Sequence, residues 1–300
     1  MARVQTRWRM LWRYWTDGIG LTARVSDGRI RRMRDVPEAT KHTYVITYDR
    51  MPAVREWDGA SYDRISGTME ALGLEVLARL KLKGDELVLD AGCGSGRITQ
   101  ALIDQLPRGR VIAVDQSASM VEAARRRLGE TADVRVVDLL ELDLEQRLDA
   151  IISTATFHWI ADHDLLFDRL HAALCPGGRL VAQCGGEGNI TILRGKVAPL
   201  LEIEPYAEHF RDWRPPWNYA GAEQTRERLL SAGFASAECR LQPAPREPEH
   251  PREFLSTIVL GPHVQRLPEE LRERFMDDAL EAIGEPVVVD YVRLNIDAFA

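Results

Sequence analysis

Apolar residues recur along the middle of the chain at two spacings that alternate with each other. Between residues 70 and 80 they fall on one face of a helix, and Gly84 breaks this pattern. Residues 87–89 are then wholly apolar, which is typical of a strand buried on both faces of a parallel sheet. A helix followed by such a strand is a repeating unit of α/β proteins.

The same alternation continues to residue 185. It predicts strands over residues 110–115, 133–139, 148–156 and 179–185, and helices over residues 98–106, 117–129 and 165–174. Ser117 is a suitable N-cap and Gly129 a suitable end for one of these helices, and "CPGG" at residues 175–178 predicts a turn. Strands that alternate with helices in this way indicate βαβ units and a parallel, doubly wound sheet.

The pattern is less regular after Gly185. Residues 242–251 form a Pro-rich link, and residues 268–284 predict a clear helix. The apolar stretch over residues 287–299 predicts an edge or hairpin strand.

Three glycines at alternate positions lie where the first strand meets the following helix. Residues 87–102 read "LVLDAGCGSGRITQAL", with Gly92, Gly94 and Gly96 in the turn. In an open α/β sheet a ligand binds beyond the carboxyl ends of the strands. Glycines there permit positive φ and let a ligand approach the main chain. The turn is therefore the predicted binding site.

Two classes of cofactor use such a turn. A dinucleotide favours G-x-G-x-x-G, but Arg97 occupies the position of the third glycine here. Asp90, which precedes the glycines, suits a ligand with an ammonium group better than it suits a pyrophosphate. These two residues disfavour a nicotinamide-dependent dehydrogenase.

In the glycine turn and the segments that follow it, the chain resembles the class I S-adenosylmethionine-dependent methyltransferases. "VLDAGCGSG" is similar to their first motif, Asp115 to the acid that binds the ribose, "VVDLLEL" to the adenine segment, and "LCPGGRLV" to the turn into the fifth strand. The likeness spans about residues 57–190. It implies S-adenosylmethionine as cofactor and a mostly parallel, seven-stranded, Rossmann-like sheet.

A narrower likeness connects the chain with the trans-aconitate methyltransferase group. It rests on "WDGASYD", "TATFHWIADH" and "GPHVQRLPEELRERF". It implies a methyl ester or similar product made on a small molecule, with a helical cap over the acceptor pocket. The expected organisation is a basic N-terminal extension over residues 1–53, a cofactor-binding core over residues 54–190, and an acceptor-side cap with the final strands over residues 191–300.

The resemblance also assigns cofactor residues. Asp90 is expected in a network near the methionine amine, with capping of the glycine turn as the alternative. Met120 either covers the adenine or packs in the core. Cys93 has no neighbouring base and no expected catalytic role. The full set of cofactor-binding candidates is Trp57, Tyr62, Asp90, Gly92, Cys93, Gly94, Asp115, Gln116, Met120, Asp138, Leu139 and Thr154. Trp57 and Tyr62 would form a lid, for which core packing is the alternative.

The acceptor side has one candidate catalytic residue, His158, which follows the fourth strand. It would act as a general base or orient the acceptor. A carboxylic acid acceptor would need no base. The substrate-binding candidates are Trp159, Trp217, Tyr219 and Arg293. The tryptophans and the tyrosine could instead form a packed connection, and Arg293 could neutralise Asp290 or Asp297.

Composition narrows the class of partner. The net charge is −7, made of +6 over residues 1–50 and −13 over the rest, and an acidic body is unlike a general nucleic-acid binder. No apolar run approaches the length of a membrane span. Four widely spaced cysteines suit a reducing cytosol, and no metal-ligand spacing occurs. The expectation is a cytoplasmic enzyme with a small-molecule acceptor, without a metal or nucleic acid.

The first fifty residues stand apart. Interpreted as a helix, Trp8, Leu11, Trp12 and Trp15 would form an aromatic face with basic flanks, suited to a membrane surface or a partner. The alternative is a leader without chemistry.

Two further functions remain open. One is a cyclase or pericyclase that retains the cofactor, and the other is a non-catalytic subunit that binds S-adenosylmethionine.

Overall fold

The computed structural model describes the backbone of Met10–Thr16, Ile19–Ser26, Arg29–Arg31 and residues 67–300, and side chains from residue 70 onward. Trp8, Trp57 and Tyr62 therefore lie outside the described residues. The chain divides into two units, Met1–Met51 and Pro52–Ala300.

The first unit contains a three-stranded antiparallel sheet. Its strands are β1 (Met10–Thr16), β2 (Ile19–Ser26) and β3 (Arg29–Arg31), in that order. The helical interpretation of residues 8–15 is therefore wrong over β1, which pairs with β2 along its whole length. Aromatic residues favour strands, so their spacing over so short a stretch does not identify a helix.

The second unit is built on a seven-stranded sheet in the order β6-β5-β4-β7-β8-β10-β9. The strands are β4 (Leu87–Ala91), β5 (Arg110–Asp115), β6 (Asp133–Val136), β7 (Leu148–Thr154), β8 (Leu174–Gly185), β9 (Ser236–Pro243) and β10 (Val292–Phe299). β10 is antiparallel to both of its neighbours, whereas the pairs from β6 to β8 are parallel. This confirms the predicted mostly parallel, doubly wound sheet.

Helices cover both faces of this sheet because alternate side chains of the central strands point in opposite directions. Val88 packs in one apolar cluster with the helices Gly67–Leu80 and Arg97–Asp104. Leu89 packs in another with the helices His163–Ala173 and Ala222–Ser231. The helix Ala118–Leu128 packs against Ala113 and Val134. The order of the strands changes direction beside β4, so the turn after β4 opens at the switch point of the sheet.

Most element boundaries agree with the sequence pattern to within a few residues. Ser117 caps the helix Ala118–Leu128 by accepting a hydrogen bond from the Met120 N–H at 3.4 Å. The predicted "CPGG" turn lies inside β8 as an irregularity, because β7 pairs with Leu174 before it and Arg179 after it.

The edge position predicted for the last strand is wrong. β10 lies between β8 and β9, and β9 forms the edge. The sequence of β9, "SAECRLQP", alternates polar residues with the apolar Ala237, Cys239 and Leu241, and its polar positions carry the charged Glu238 and Arg240. Charged side chains are typical of an edge strand, where they oppose pairing with other chains.

The remaining helices pack around a separate apolar cluster that includes Tyr206, Phe254 and Phe275. We call these helices the cap: Thr191–Val197, Ala207–Phe210, Pro251–Phe254, Gly261–Arg266 and Glu269–Ile283. The last of them confirms the helix predicted over residues 268–284. Within the described residues, no helix is both long enough and apolar enough to span a bilayer.

Candidate active site

The glycine turn after β4 is held against β5. The N–H groups of Gly92 and Cys93 both donate to the carbonyl oxygen of Val114, at 2.8 and 2.9 Å. Gly92 has a φ of 87°, and a Cβ there would lie 2.2 Å from Oγ1 of Thr156. Gly94 has a φ of 53°, and a Cβ there would have no neighbour within 4 Å. Gly92 is therefore required by packing, whereas the missing side chain of Gly94 leaves open space.

Asp90 is a buried carboxyl group just before this turn, with 1% of its surface exposed. Its Oδ2 accepts a hydrogen bond from the Thr99 hydroxyl at 2.7 Å, but its Oδ1 has no partner among the described residues. Burial raises the pKa of Asp90 to about 7; the Thr99 hydrogen bond opposes this shift and the charge of Asp115 adds to it. A buried, unsatisfied carboxylate oxygen fits a ligand with an ammonium group, which would complete its hydrogen bonding.

Two further acids follow the neighbouring strands. Oδ2 of Asp115 accepts from the Gly94 N–H at 3.0 Å, and its Oδ1 accepts from the Ser117 N–H at 2.9 Å. Oδ1 of Asp138 accepts from the Leu140 N–H at 2.9 Å. These bonds orient both carboxylates, and carboxylate oxygens are acceptors of the kind that ligand hydroxyls donate to.

One cleft brings most of the predicted residues together. Of the cofactor candidates, it is lined by Gly92, Gly94, Asp115, Gln116, Met120, Asp138, Leu139 and Thr154, whereas Asp90 lies buried beneath the glycine turn and lines neither this cleft nor the cavity beside it. All five acceptor-side candidates line it as well: His158, Trp159, Trp217, Tyr219 and Arg293. Met120, for which the sequence left two roles open, is buried in the wall of this cleft.

Several residues that line the cleft are not among the predicted site residues, for example Thr156, Asn189, Ile258 and Tyr291. Thr156 lies in the motif "TATFHW", two residues before His158, so the sequence contained an indication of its place in the site. Asn189 lies just before the first cap helix, Ile258 lies between two cap helices, and Tyr291 leads into β10; no motif marked these positions.

A second cavity adjoins the first at the glycine turn. Gly92, Gly94, Thr154 and Arg293 line both cavities. Cys93 lines only the second; burial raises the pKa of its thiol well above its ordinary value, which agrees with the absence of a nucleophilic role.

An ion pair missed by the sequence analysis stands at this second cavity. Nη1 of Arg97 lies 2.7 Å from Oε2 of Glu70, and both residues line the cavity. Arg97, which occupies the position of the third glycine in a dinucleotide motif, is thus a cationic residue in the wall of this cavity.

His158 lies in a short 3₁₀ turn, Phe157–Trp159, directly after β7. Its Nδ1 accepts a hydrogen bond from the Gly185 N–H at 3.3 Å, which places the proton of the neutral ring on Nε2. A ring in that tautomer donates through Nε2 and has no other lone pair for a substrate proton. The geometry therefore favours the orienting role of His158 over the general base.

An aromatic wall adjoins His158. The rings of Trp217 and Tyr219 are stacked, with centroids 6.0 Å apart and an interplanar angle of 7°. Trp159 lies 6.2 Å from Trp217, and His158 lies 5.8 Å from Tyr219. Burial raises the pKa of Tyr219 to about 12, so its hydroxyl stays protonated near neutral pH.

Arg293 is a buried cation in this cleft, with 3% of its surface exposed. Its Nε donates to Oε1 of Gln183 at 3.3 Å, and among residues 70–300 no carboxylate forms an ion pair with it. The two acids that could have neutralised it are engaged elsewhere. Asp290 accepts the N–H groups of residues 192 and 193, and Asp297 pairs with Arg79 and Arg240. A buried charge without a counter-ion favours an anionic ligand.

Comparison with known proteins agrees with this arrangement. Residues 88–178 match a methyltransferase-domain family. The chain is 30% identical over 254 residues to the trans-aconitate 2-methyltransferase of Variovorax paradoxus, covering 80% of this chain and 94% of that protein. The corresponding protein of an Acidovorax species is 28% identical over 244 residues, covering 77% and 90%.

Solved structures share the fold. A Haemonchus contortus phosphoethanolamine N-methyltransferase 2 in complex with S-adenosyl-L-methionine has a TM-score of 0.53 and 21% identity, covering 81% of this chain and 56% of that chain. The YcgJ protein of Bacillus subtilis has a TM-score of 0.55 and 18% identity, covering 76% and 97%. The relatives do not favour a cyclase or a non-catalytic subunit. The chain belongs to the S-adenosylmethionine-dependent methyltransferases, acts on a small molecule, and uses S-adenosylmethionine as its cofactor.

Proposed function

We propose that this enzyme methylates a carboxylate oxygen of a small carboxylic acid. The observation that carries the proposal is Arg293, a buried cation in the cleft without an acidic partner among the described residues. The names of the trans-aconitate 2-methyltransferases at about 30% identity support the same class of acceptor. Trans-aconitate is one candidate.

In this proposal the cofactor residues align the methyl donor. Asp115 holds the ribose, Asp138 and Leu139 meet the adenine, and Asp90 completes its hydrogen bonding near the methionine amine. Gly94 leaves the space that the cofactor occupies. When bound, S-adenosylmethionine supplies a methyl group on a positively charged sulfur, which is open to in-line attack.

On the acceptor side, Arg293 attracts and orients the anion, and His158 donates a hydrogen bond through Nε2. Trp159, Trp217 and Tyr219 form the apolar wall. A carboxylate is already nucleophilic, so no group of the protein needs to remove a proton. The protein contributes alignment, which can be worth about 7–11 kcal/mol of the barrier.

We also infer a division of labour along the chain. Residues 54–190 would carry cofactor binding and also supply His158 and Trp159, residues 191–300 would carry the rest of the acceptor site, and residues 1–53 would lie outside the catalytic fold. The positions of Trp217, Tyr219 and Arg293 in the second part support this division. Trp57 and Tyr62 remain predictions for the lid.

The test is product mass. The purified chain is incubated with S-adenosylmethionine and a panel of carboxylic acids that includes trans-aconitate, and a mass gain of one methyl group is sought. Base-labile products identify esters. Methylation of amines or phenols in preference to acids would contradict the proposal, and so would consumption of an acid without any gain in mass.

Arg293→Gln supplies the matched variant. Loss of a buried cation that pairs with the acceptor should raise the acceptor KM by about 30-fold or more, because such pairs are worth at least about 2 kcal/mol. The Kd for S-adenosylmethionine, measured by calorimetry, should change much less. Equal losses of both affinities would place Arg293 at the cofactor instead.

A further inference from the structure

Behind Arg293 lies a chain of buried amides. We propose that Gln183 is a positioning residue, which fixes Arg293 for the acceptor without supplying a negative charge that would neutralise it. This inference rests on the proposed function, because it assigns Arg293 to the acceptor carboxylate. Gln183 is on β8, Arg293 is on β10, and both line the cavity at the glycine turn.

The hydrogen bonds allow only one orientation of the Gln183 amide. Its Nε2 donates to Oδ1 of Asn295 at 3.0 Å, and its Oε1 accepts from Nε of Arg293 at 3.3 Å. Gln183 and Asn295 are 4% and 1% exposed, so water does not compete for these bonds. A flipped Gln183 amide would place its N–H groups against the Arg293 Nε–H, donor against donor.

Asn295 is fixed in turn by Arg79. Nη1 of Arg79 also donates to Oδ1 of Asn295, so that oxygen receives two donors. Nη2 of Arg79 donates to the carbonyl oxygens of Ala182 at 2.9 Å and Ile296 at 3.1 Å. Arg79 is thereby tied to both β8 and β10, and the amide chain is anchored on the helix Gly67–Leu80.

The chemistry of an amide explains why glutamine suits this position. The amide oxygen accepts one hydrogen bond from Nε of Arg293. The two terminal amino groups of Arg293 then stay available to form the two-pronged contact that holds a carboxylate. A glutamate of nearly the same shape would still accept from Nε of Arg293 but would neutralise the arginine, and its second oxygen would face Oδ1 of Asn295, acceptor against acceptor. An internal counter-ion would then compete with the acceptor.

The end of β8 positions the second acceptor-side group as well. Gly185 lies two residues beyond Gln183, its N–H donates to Nδ1 of His158, and it is the sheet partner of Arg293. One strand end therefore orients both Arg293 and His158. The expected consequence is that changes at residue 183 affect acceptor binding first.

The test compares Gln183→Glu with Gln183→Met, using trans-aconitate or the best acid of the panel as the probe. Gln183→Glu should raise the acceptor KM at least about tenfold, with kcat within about threefold and the Kd for S-adenosylmethionine within about twofold, because it compensates the charge of Arg293 while keeping an acceptor for the Arg293 Nε–H. Gln183→Met keeps the charge and loses the orientation, so it should raise KM less and lower kcat more. Gln224→Glu, at an exposed position, controls for net charge and should match the wild type.

The outcomes separate the two proposals. A wild-type chain that methylates none of the acids contradicts the proposed function. If the wild-type chain is active, two results overturn the role of Gln183 and leave the proposed function standing. One is an unchanged acceptor KM in Gln183→Glu, and the other is identical effects of both substitutions. If Gln183→Glu does not fold, an unchanged acceptor KM in Gln183→Met overturns the role, and a raised KM with lowered kcat supports it.

Discussion

Asp90 should make the affinity for S-adenosylmethionine depend on pH. Burial raises its pKa to about 7 in the free enzyme, so part of the population carries a neutral carboxyl group near neutrality. An ammonium group of the cofactor binds better to the ionised form, and binding must therefore release the proton. For a pKa of about 7, the ionised fraction is about one tenth at about pH 6 and about three quarters at about pH 7.5. The affinity should rise about eightfold between these two values.

The assay is calorimetric titration of the chain with S-adenosylmethionine across this range, repeated in two buffers of different ionisation enthalpy. The difference between the buffers reports the proton released. The upper limit stays below the pH at which the α-amino group of the cofactor loses its own proton, near a pKa of about 8. Asp90→Asn should bind weakly and without a pH slope, whereas His158→Gln should keep the slope. A flat wild-type profile, or a slope that survives in Asp90→Asn, would refute the role of Asp90.

The same carboxyl group should weaken the folded state without the cofactor. Its folded pKa is raised above its unfolded value, so the folded chain holds a proton that the unfolded chain releases. Its effect is therefore to lower stability as the pH rises from about 4 to about 7. In thermal unfolding without the cofactor, the stability of Asp90→Asn relative to the wild type should increase as the pH rises across this window. An equal difference at both ends would contradict the shifted pKa.

Three further outcomes are expected. Gly94→Ala should weaken binding of S-adenosylmethionine about tenfold or more at a stability cost of about 1–2 kcal/mol. Gly129→Ala, also at positive φ with open space around it, should lower stability as well but leave binding unchanged in calorimetry. Trp217→Leu should raise the acceptor KM several-fold in steady-state kinetics without changing the cofactor Kd, because Trp217 stacks on Tyr219 in the acceptor wall. Burial alone would raise the pKa of Glu86, but backbone N–H groups and Arg179 outweigh it and bring that pKa to about 2. Glu86→Gln should therefore lose about 2–3 kcal/mol in urea unfolding near pH 7, and this difference should vanish as the pH falls from about 4.5 to about 2.

The sequence predicted the centre of the sheet because burial leaves a direct trace there. β4, β5 and β7 are covered on both faces, so their residues form apolar runs that stand out from the flanking helices. The glycine turn was predictable for a similar reason, since only glycine tolerates a φ of 87° beside Thr156 at Gly92.

The remaining features depend on contacts that a local pattern does not contain. β9 has small or weakly apolar residues at its alternate positions and charged residues between them, so its strand signal is weak, and it pairs with β10 in the structure. Gln183 and Asn189 are ordinary polar residues. The register of β8 with β10 brings Gln183 to the cavity beside the cleft, and the Val292 N–H, which donates to Oδ1 of Asn189, holds Asn189 at the cleft. The tautomer of His158 follows from the Gly185 N–H, which is distant along the chain, so its residue type alone left the choice between base and donor open.

The place of β10 in the sheet sets an order of assembly. β4, β5, β6, β7 and β8 follow one another along the chain, so the glycine turn and its acids can form from contacts over short separations. β10 follows the cap helices, and its residue Leu294 must then find Cys184 across more than a hundred residues of intervening chain. Closing so long a loop is entropically costly and slow. During biosynthesis the cofactor half would therefore mature first, and Arg293 would arrive last, so that the cleft gains its affinity for anions only at the final step of folding.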